Sequence, residues 1–395
     1  MQKLTSNKAD IEYYPNIRLV LLLKKANLYW HPILAELTKI YPQTKVYTGF
    51  WPGFSWGYQD SFEIEQIGKI KFLSAYKNKQ NPGYEPGLTY LSPKIVFPLL
   101  KSNPDLVFTD GFCIWTVIVL LLKIFTKWRV IIILDGSTPG VDYRNSWLRI
   151  NIRRLMVSLA DGFITNNKLG KAYLKEVLQV ESEKIFARPY LVPDKISLQQ
   201  YSNQPQLTNL LLKHPIFLCV GQIIPRKGIE QLLKACNLLN KDNTDFSLLI
   251  AGDGWKRPEL EALTVKYALS PKIKWLGSID YGYLGAYYQL TDVLIFPTFE
   301  DTWGMVVLEA MSFGKPIICS ELAGSSELIV EGENGYCFNP HNIEQLVNIM
   351  RLFVKDPQII EIMSNRSSQL AKRHSPKKAA KSITKAVSFV TDKCN

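Results

Sequence analysis

The sequence predicts an α/β protein made of two doubly wound, Rossmann-like domains whose parallel sheets face a common cleft. At 395 residues, the chain is longer than one ordinary hydrophobic core supports. In both halves, short and continuously apolar runs alternate with helix-length segments. Such runs are typical of parallel strands that helices cover on both faces, and two sets of them indicate two domains.

The apolar runs of the first half are rich in Val, Ile, Leu and Phe, as expected for strands. They are IRLVLLL (17–23), KVYTG (45–49), KIKFL (69–73), LVFTD (106–110), RVIIIL (129–134) and GFITN (162–166). We predict that residues 1–200 form the first domain.

The second half repeats the pattern. Its runs are IFLCVG (216–221), SLLIAG (247–252), IKWLG (273–277), DVLIFP (292–297) and PIICS (316–320). Residues 194–215 are rich in Gln, Asn and Ser and contain two prolines, so we place the boundary there and expect a second domain over 201–372. Residues 373–395 are predicted to form a basic helix that packs back on the first domain.

The composition is that of a globular protein without structural disulfides or a membrane span. Six cysteines show neither a CxxC motif nor regular spacing, which suits a reducing cytoplasm. The polar N-terminus lacks the apolar core of a secretion signal. The most apolar stretch, residues 112–134, is interrupted by Lys123, Lys127 and Arg129, which favours a buried helix followed by a buried strand. We therefore expect a cytoplasmic protein.

Positive charge is concentrated in the first half. The net charge is +12; residues 1–200 carry 26 Lys and Arg against 16 Asp and Glu, a net of +10, whereas residues 201–395 carry 21 against 19, a net of +2. This excess favours an anionic partner: a membrane surface, a phosphorylated acceptor or nucleic acid. Because no recognised nucleic-acid motif accompanies the charge, we expect no nucleic-acid partner.

Two segments of the first half can serve such contacts. TGFWPGFSWGYQD (48–60) is aromatic and glycine-rich; it can stack on a sugar, insert at a lipid interface or form a packed loop. RNSWLRINIRRLMVSLA (144–160) brings Arg149, Arg153 and Arg154 together around an apolar stripe, as on a surface helix. With the net charge, these segments predict that the first domain docks on an anionic membrane, peripherally and at its inner face.

The first half is not an ordinary dinucleotide-binding domain. Such a domain carries GxGxxG directly after its first strand. Here the first strand is followed by KKANLYWHP, which holds no glycine.

Four glycine-bearing loops follow strands of the second half, where open parallel sheets bind ligands. They are VGQIIPRKG (220–228), IAGDGW (250–255), PTFEDTWGMVVLEAM (297–311) and ELAGSSELIVEGENG (321–335). Gly221 permits a tight turn and Lys227 offers a charge for phosphate, although a Lys-Gly turn is also common on solvated surfaces. Gly252 and Gly254 allow close backbone approach, or simply a strand-to-helix turn.

With these loops, the second half resembles the donor-binding domain of family 4 glycosyltransferases, which are retaining enzymes of the GT-B fold. The resemblance covers residues 216–340 together with the two-domain layout. Its most specific element is a pair of acids separated by seven residues and followed by EAM; here the acids are Asp301 and Glu309. The resemblance implies that the first domain binds an acceptor and the second a nucleotide-sugar donor.

The resemblance also implies a donor site at the start of the helix after Gly304. Unpaired N–H groups and the positive end of the helix dipole favour a diphosphate there. Glu309 would accept hydrogen bonds from ribose hydroxyls and Asp301 would face the donor sugar; simple helix capping by Asp301 or Thr302 is the alternative. The implied set is catalytic Asp301, Lys227 and Asp135, and donor-binding Gly221, Gln222, Arg226, Lys227, Gly252, Gly254, Glu300, Gly304, Met305, Val306 and Glu309.

Four positions depart from the family pattern. Gln222 stands where family members commonly have Arg, so Arg226 is expected to neutralise the diphosphate. The first acid is Asp301 rather than Glu, and Glu300 beside it can substitute. Asp135, after the fifth strand of the first domain, stands where many members have His. The glycine pair that often follows the first strand is missing.

The resemblance implies a hexosyltransferase that moves a sugar from a UDP- or GDP-sugar to a hydroxyl acceptor, such as a lipid-linked glycan or a polysaccharide precursor. In retaining members the leaving diphosphate is thought to assist the incoming hydroxyl, without a carboxylate nucleophile or a cofactor. The sequence has no DxD pair and its four histidines are far apart, so we expect no metal. Two other functions stay open: a GT-B disaccharide phosphorylase and a non-catalytic sugar-nucleotide binding protein.

Overall fold

Two parallel sheets flanked by helices confirm the predicted α/β class with two Rossmann-like units. The computed structural model describes residues 14, 16–74, 84, 87–201 and 211–392. Residues that follow strands of both sheets line one shared cavity, so the two sheets face each other across a cleft.

The described residues of the first half form nine strands. They are β1 (Leu19–Leu23), β2 (Lys45–Thr48), β3 (Glu63–Gln66), β4 (Lys71–Ser74), β5 (Gly87–Tyr90), β6 (Leu106–Asp110), β7 (Arg129–Leu134), β8 (Gly162–Thr165) and β9 (Ile185–Ala187). Seven form a sheet in the order β3-β2-β1-β6-β7-β8-β9, in which all neighbours are parallel. All five residues of β1 are buried, as expected for a strand that helices cover on both faces.

The second half forms a six-stranded parallel sheet. Its strands are β10 (Ile216–Val220), β11 (Ser247–Ala251), β12 (Ile273–Gly277), β13 (Val293–Phe296), β14 (Ile317–Ser320) and β15 (Gly335–Phe338). Their order is β12-β11-β10-β13-β14-β15. The register sets Leu218 of β10 between Leu249 of β11 and Leu294 of β13. The order reverses at β10 and β13, and doubly wound sheets bind ligands at such a reversal.

Fourteen helices surround the sheets in the described ranges. They are α1 (His31–Ile40), α2 (Val96–Ser102), α3 (Ile114–Lys123), α4 (Pro139–Asp142), α5 (Trp147–Leu159), α6 (Lys168–Ala172), α7 (Lys195–Leu198), α8 (Ile229–Lys241), α9 (Arg257–Lys266), α10 (Tyr281–Leu290), α11 (Met305–Ser312), α12 (Ile343–Lys355), α13 (Gln358–Ala371) and α14 (Pro376–Asp392). Buried side chains of the helices and sheets form the hydrophobic cores.

One predicted strand of the main sheet is wrong. The run at 69–73 does not join the parallel sheet; instead β4 pairs with β5 as a separate antiparallel ribbon. Lys71 and Phe72 are exposed, whereas an inner parallel strand is buried on both faces. Strands β3, β5, β9 and β15 were not predicted. β3 has the sequence EIEQ and lies at a sheet edge, where polar residues are normal.

The apolar stretch at 112–134 forms a helix, α3, followed by the strand β7, as predicted. The helix is not fully buried, however. Trp115 and Val119 pack into the core, but Leu121 on the opposite face is exposed because α3 belongs to an outer layer of the sheet. None of the helices in the described ranges is both long and apolar enough to cross a membrane.

The last helix, α14, follows the second sheet in the sequence, but it packs against elements of the first half. Ile383, Val387 and Val390 of α14 are buried, and the helix packs against α1 and β8. The Phe389 ring meets that of Phe186 edge-on, with centroids 5.5 Å apart. Within the predicted boundary at 194–215, residues 195–198 form α7, and 202–210 lie outside the described residues.

Candidate functional site

A cavity of about 630 Å³ lies between the carboxyl ends of the two sheets. Loops after β1, β6 and β7 supply one wall, and loops after β10 and β13 supply the other. Several of the predicted site residues line it: Asp135, Gly221, Gln222, Arg226, Lys227, Asp301, Gly304, Met305 and Val306. Residues from both halves of the predicted set therefore meet at one place.

The start of α11 forms the floor of this cavity. Gly304 precedes the helix with φ = 93°, a conformation that a side chain disfavours. A Cβ atom at this position would also lie 2.6 Å from Cε1 of Phe296 and 2.7 Å from Oγ of Ser325. Only glycine fits, and the first two residues of the helix, Met305 and Val306, line the cavity with their first-turn N–H groups. Such groups bind anions well.

Three charged side chains form a buried cluster beside this helix start. Nζ of Lys227 lies 2.6 Å from Oδ2 of Asp301, and Nη1 of Arg226 lies 3.3 Å from the same oxygen. Burial acts to raise the pKa of Asp301, but the nearby charges of Lys227 and Arg226 bring it below its ordinary value. Asp301 is therefore ionised, and it also accepts a hydrogen bond from the N–H of Trp303 at 3.1 Å.

Asp301 makes contacts of two kinds, and its role toward the donor sugar stays a prediction. Its bond from the Trp303 N–H resembles a capping contact, although the residue that precedes α11 is Gly304. Its other oxygen faces Lys227 and Arg226 in the cavity. Capping alone does not account for the two cations.

Glu300 connects the two halves of the molecule. Its carboxylate accepts hydrogen bonds from the N–H groups of Gly140, at 2.6 Å, and Tyr84, at 3.1 Å. Both groups belong to the first half, and Glu300 is absent from the described lining of the 630 Å³ cavity. The expectation that Glu300 substitutes for Asp301 is not supported by these contacts, because the side chain already binds elsewhere.

Gly252 and Gly254 have a packing role in this structure. A Cβ atom on Gly252 would lie 1.9 Å from the carbonyl oxygen of Gly221, and one on Gly254 would lie 2.3 Å from that of Ile223. The close backbone approach predicted for these glycines is therefore to the neighbouring loop after β10. That approach fixes the position of Gly221 and Gln222, which do line the cavity.

Glu309 lies behind the cavity rather than in it. Its carboxylate accepts hydrogen bonds from the hydroxyls of Tyr288, at 2.8 Å, and Tyr281, at 3.3 Å. Burial raises its pKa to about 7, although the two tyrosine hydroxyls oppose the shift. The ring of Tyr281 in turn meets that of Tyr29, which lines the cavity. A ribose contact to Glu309 stays a prediction, and it requires Tyr29 and Tyr281 to move.

Asp135 lines the opposite wall. It accepts a hydrogen bond of 2.6 Å from the hydroxyl of Tyr190. Burial, together with the nearby charge of Asp110, raises its pKa. Asp135 is thus an acid with a raised pKa that faces the cavity from the first half.

A family model matches the second half of the chain, which carries most of the site residues described above. Residues 201–382 match the family model described as glycosyl transferases group 1. This part of the chain is called the group 1 domain below.

Curated relatives match parts of the chain. Alpha-D-kanosaminyltransferase from Streptomyces kanamyceticus is 25% identical over 200 residues, which are 50% of this chain and 52% of that protein. Sulfoquinovosyl transferase SQD2 from Arabidopsis thaliana is 28% identical over 172 residues, 43% of this chain and 32% of that protein. The aligned parts thus span about half or less of these relatives.

Solved structures match nearly the whole chain. HepE from Anabaena, solved in complex with UDP, superposes with a TM-score of 0.73 at 16% identity and covers 94% of this chain and 100% of that one. Sucrose-phosphate synthase from Thermosynechococcus elongatus gives a TM-score of 0.69 at 18% identity, covering 95% and 99%. At this identity the likeness establishes the fold. The chain has the GT-B fold, and its residues 201–382 match the group 1 family model.

Several residues opposite the group 1 domain were missed by the sequence analysis. Lys24 and Lys25 follow β1, and Asp110 ends β6; all three line the cavity. Nζ of Lys24 lies 3.2 Å from Oδ1 of Asp110, and the Lys24 N–H donates to Oδ2 at 3.0 Å. The rule that ligands bind at the carboxyl ends of parallel strands would have found them, had it been applied to the first half as well.

A larger cavity of about 1080 Å³ adjoins the first one. The two share five residues in their walls: Lys24, Lys25, Thr89, Gln222 and Arg226. The rest of the larger cavity is mostly apolar and belongs to the first half: Phe72, Phe112, Ile114, Val117, Tyr143, Ile152 and Met156, with Trp255 from the group 1 domain. In the described residues, no group of three or more His, Cys, Asp or Glu side chains is arranged to hold a metal ion.

Proposed function

We propose that this chain is a retaining glycosyltransferase that moves a sugar from a nucleotide diphosphate-sugar to a hydroxyl acceptor. The observation that carries the proposal is the junction at Gly304. There the first turn of an eight-residue helix lines the same cavity as the buried cations Lys227 and Arg226, at the carboxyl end of a parallel sheet. This combination favours a diphosphate over a neutral ligand.

In the proposed complex the diphosphate lies across the start of α11 and beside Lys227. The contribution of the helix end is about 0.3–1 kcal/mol, whereas a bond to a charged group adds about 1.5–3 kcal/mol. Lys227 is therefore expected to contribute more than the backbone. Asp301 holds Lys227 in place through its 2.6 Å contact and faces the donor sugar.

Four further cations and polar groups surround the proposed leaving group. Gln222 carries no charge, and Arg226 is already paired with Asp301. Lys25, which is exposed and lines both cavities, reaches the cleft from the first half. We propose that Lys25 and Lys24 supply the positive charge that Gln222 lacks.

The proposed reaction breaks the bond between the anomeric carbon and the diphosphate, and the electron pair stays on the diphosphate oxygen. The acceptor oxygen forms its new bond on the same face of the sugar, and its proton passes to the departing diphosphate. Lys227 stabilises the charge that develops there. Asp135 positions a sugar hydroxyl from the opposite wall through a hydrogen bond to its carboxyl group.

The larger cavity is the proposed acceptor site. It shares five wall residues with the smaller one, so a hydroxyl group held in it can reach the sugar. A UDP-sugar is the first donor to test, since the HepE structures contain UDP and UDP-glucose.

A panel of UDP-, GDP- and ADP-sugars tests the proposal, first by thermal shift and then by hydrolysis. A ligand at a hundredfold excess over Kd raises the free energy of unfolding by about 2.7 kcal/mol. We expect one nucleotide series to stabilise the chain and to be hydrolysed, with and without EDTA. Proton NMR of the first-formed sugar should show the anomeric configuration of the donor.

The alternatives give different results. A disaccharide phosphorylase would need inorganic phosphate and would leave the nucleotide-sugars intact. A non-catalytic binder would be stabilised by one series without hydrolysing it. An inverted product would reject the retaining mechanism, and the absence of any stabilising nucleotide would reject the donor site.

A further inference from the structure

The outer helices of the first half expose an apolar face. On α3 and the two residues after it, Ile114, Leu121, Ile124 and Phe125 recur at helical spacing and are all exposed, Phe125 by 86%. The opposite side of α3 packs into the core, so the helix has apolar residues on both sides. A soluble surface helix normally has only one apolar side.

Helix α5 lies beside α3 and exposes a second apolar stripe. Nζ of Lys123, at the end of α3, donates a 2.7 Å hydrogen bond to the carbonyl oxygen of Leu159, at the end of α5. Leu148, Ile152, Leu155 and Leu159 are spaced four, three and four residues apart and are exposed. With Trp147, which is 79% exposed, they extend the apolar face of α3. This continuous face of α3 and α5 is called the outer face below.

The outer face is bordered by positive charge and holds no unpaired acid among its described residues. Residues 93–161 contain nine Lys and Arg against five Asp, a net of +4. All five acids have partners: Asp105 binds Arg18, Asp110 binds Lys24, Asp135 binds Tyr190, Asp142 binds Arg144, and Asp161 binds Lys123 and Arg129. Lys101 and Lys127 are exposed and form no ion pair within the described ranges.

The outer face reaches the mouth of the 1080 Å³ cavity. Ile114 and Ile152 belong both to the apolar stripes and to the cavity wall, and Arg149, one turn before Arg153, is exposed at the same wall. A molecule that lies against the outer face can therefore extend a polar group into the cavity.

The aromatic loop at 48–60 is less suited to the same role. Trp51 and Phe54 pack against Phe62 and His31, with ring centroids 5.0–6.3 Å apart. The Ser55 N–H donates a 3.0 Å hydrogen bond to Nδ1 of His31. Phe50 and Trp56 are the exposed aromatic side chains of this loop, whereas Trp51 and Phe54 are half-buried. Of the three alternatives given for residues 48–60, these contacts favour the packed loop.

We infer that the outer face docks on an anionic lipid bilayer, and that the larger cavity receives the polar head of a lipid-anchored acceptor. Apolar side chains would enter the interface while Lys101 and Lys127 meet anionic headgroups. The docking stands by itself, whereas the acceptor class rests on the proposed function.

Co-sedimentation with vesicles tests the docking. The probes are vesicles of phosphatidylcholine alone and of phosphatidylcholine mixed with phosphatidylglycerol. Each cation near an anionic surface contributes about fivefold to partitioning, so K101Q/K127Q should bind about thirtyfold more weakly. At about 1 M salt the Debye length falls to about 3 Å, so most of the wild-type protein should be released. The triple variant F125S/W147S/L155S should not bind.

Matched variants keep the test specific. V265S/I362S removes two exposed apolar residues of the group 1 domain, and W56F changes the aromatic loop; both should bind like the wild type. Brominated lipids should quench tryptophan fluorescence in the wild type and in W56F, and much less in W147F. Equal binding to neutral and anionic vesicles, binding by the triple variant, or a dimer that the triple variant abolishes would each overturn the proposal.

The acceptor class has its own readout. With the donor that the wild type hydrolyses, radiolabelled in its sugar, and with native membrane vesicles, label should enter the organic extract. The triple variant should lose this transfer by about thirtyfold or more while it still hydrolyses the donor in solution, because its cleft is unchanged. Label that stays in water-soluble product would overturn the lipid-anchored acceptor. If neither the wild type nor any variant hydrolyses a nucleotide-sugar, the proposed function is rejected, whereas the docking result still stands.

Discussion

Lys227, Arg226 and Asp301 show how single residues define the proposed donor site. Their side chains are about 10–14% exposed, so the charges interact in a medium less polarisable than water. A pair of this kind contributes little net stability, but removing one partner is costly because the other charge stays buried. The cluster therefore gives a stability test that is separate from any test of binding.

Replacing Lys227 alone should destabilise the fold. K227M leaves Asp301 with Arg226 as its nearest cation, and we expect a loss of about 3 kcal/mol in the free energy of unfolding. K227M/D301N removes both charges and keeps an oxygen for the Trp303 N–H, so it should recover much of that loss. Urea unfolding measures both. Equal losses in the single and the double variant would contradict the buried ion pair.

Glu309 predicts a pH dependence of stability. Its pKa is raised from 4.5 to about 7 in the folded protein, so the folded state binds a proton more tightly than the unfolded state. The free energy of unfolding should therefore fall as pH rises from about 4.5 to about 7, and level off above. At about 1.4 kcal/mol per pKa unit, E309Q should be more stable than the wild type at pH 8 by about 3 kcal/mol.

Urea unfolding of the wild type and E309Q at pH 5 and pH 8 checks this expectation. The two proteins should be closer in stability at pH 5, where the wild-type carboxyl holds its proton. A gap that does not change with pH would show that Glu309 is not the titrating group.

At the scale of elements, the sites lie where parallel strands end. The four loops of the second half could be predicted because glycines mark them and because the helix after Gly304 starts abruptly. Lys24 and Asp110 follow the same rule in the first half, but the loop after Lys24 holds no glycine and the loop after Asp110 has a single one, Gly111. The hydrogen bonds from Tyr281 and Tyr288 to Glu309 could not be predicted, since they join residues 21 and 28 positions apart on different helices. The exposed edge strand β3 was not predicted from the sequence because its residues are mostly polar.

The start of α11 gives a prediction at this scale. G304A adds a Cβ atom at φ = 93° that also collides with Phe296 and Ser325, and we expect a loss of about 3 kcal/mol in the free energy of unfolding. G332A is the matched control, because Gly332 has φ = 76° but nothing within 4 Å of an added Cβ; it should lose about 1 kcal/mol. Donor affinity should fall in G304A alone. Equal losses of stability and of donor affinity in G304A and G332A would mean that Gly304 has no special role in the donor site.

At the scale of the whole molecule, the two sheets are held in one arrangement by contacts around the cleft. Asn167 donates a 2.6 Å hydrogen bond to the carbonyl oxygen of Thr302, and Nε1 of Trp303 donates one of 3.2 Å to that of Leu191. Helix α14 also connects the two halves, because it follows the second sheet in the sequence and packs on the first sheet. Two domains could be predicted from alternating strands and helices, whereas these contacts depend on the folded geometry.

Helix α14 should contribute to the stability of the first half. Ile383 is buried, so I383A should cost about 2–5 kcal/mol. K385A changes an exposed residue on the same helix and should stay within about 0.5 kcal/mol of the wild type. Urea unfolding gives both values. A tolerated I383A would mean that α14 is not held against the first sheet in solution.

Calorimetric titration of the active nucleotide diphosphate tests the donor site most directly. The wild type should bind, and K227M/D301N should bind about tenfold to a hundredfold more weakly, as expected for the loss of about 1.5–3 kcal/mol from one charged contact. K234M, which removes a lysine of α8 that pairs with Glu230, should match the wild type. Binding of equal strength in K227M/D301N, or no binding of any nucleotide diphosphate to the wild type, would contradict a donor site at the start of α11.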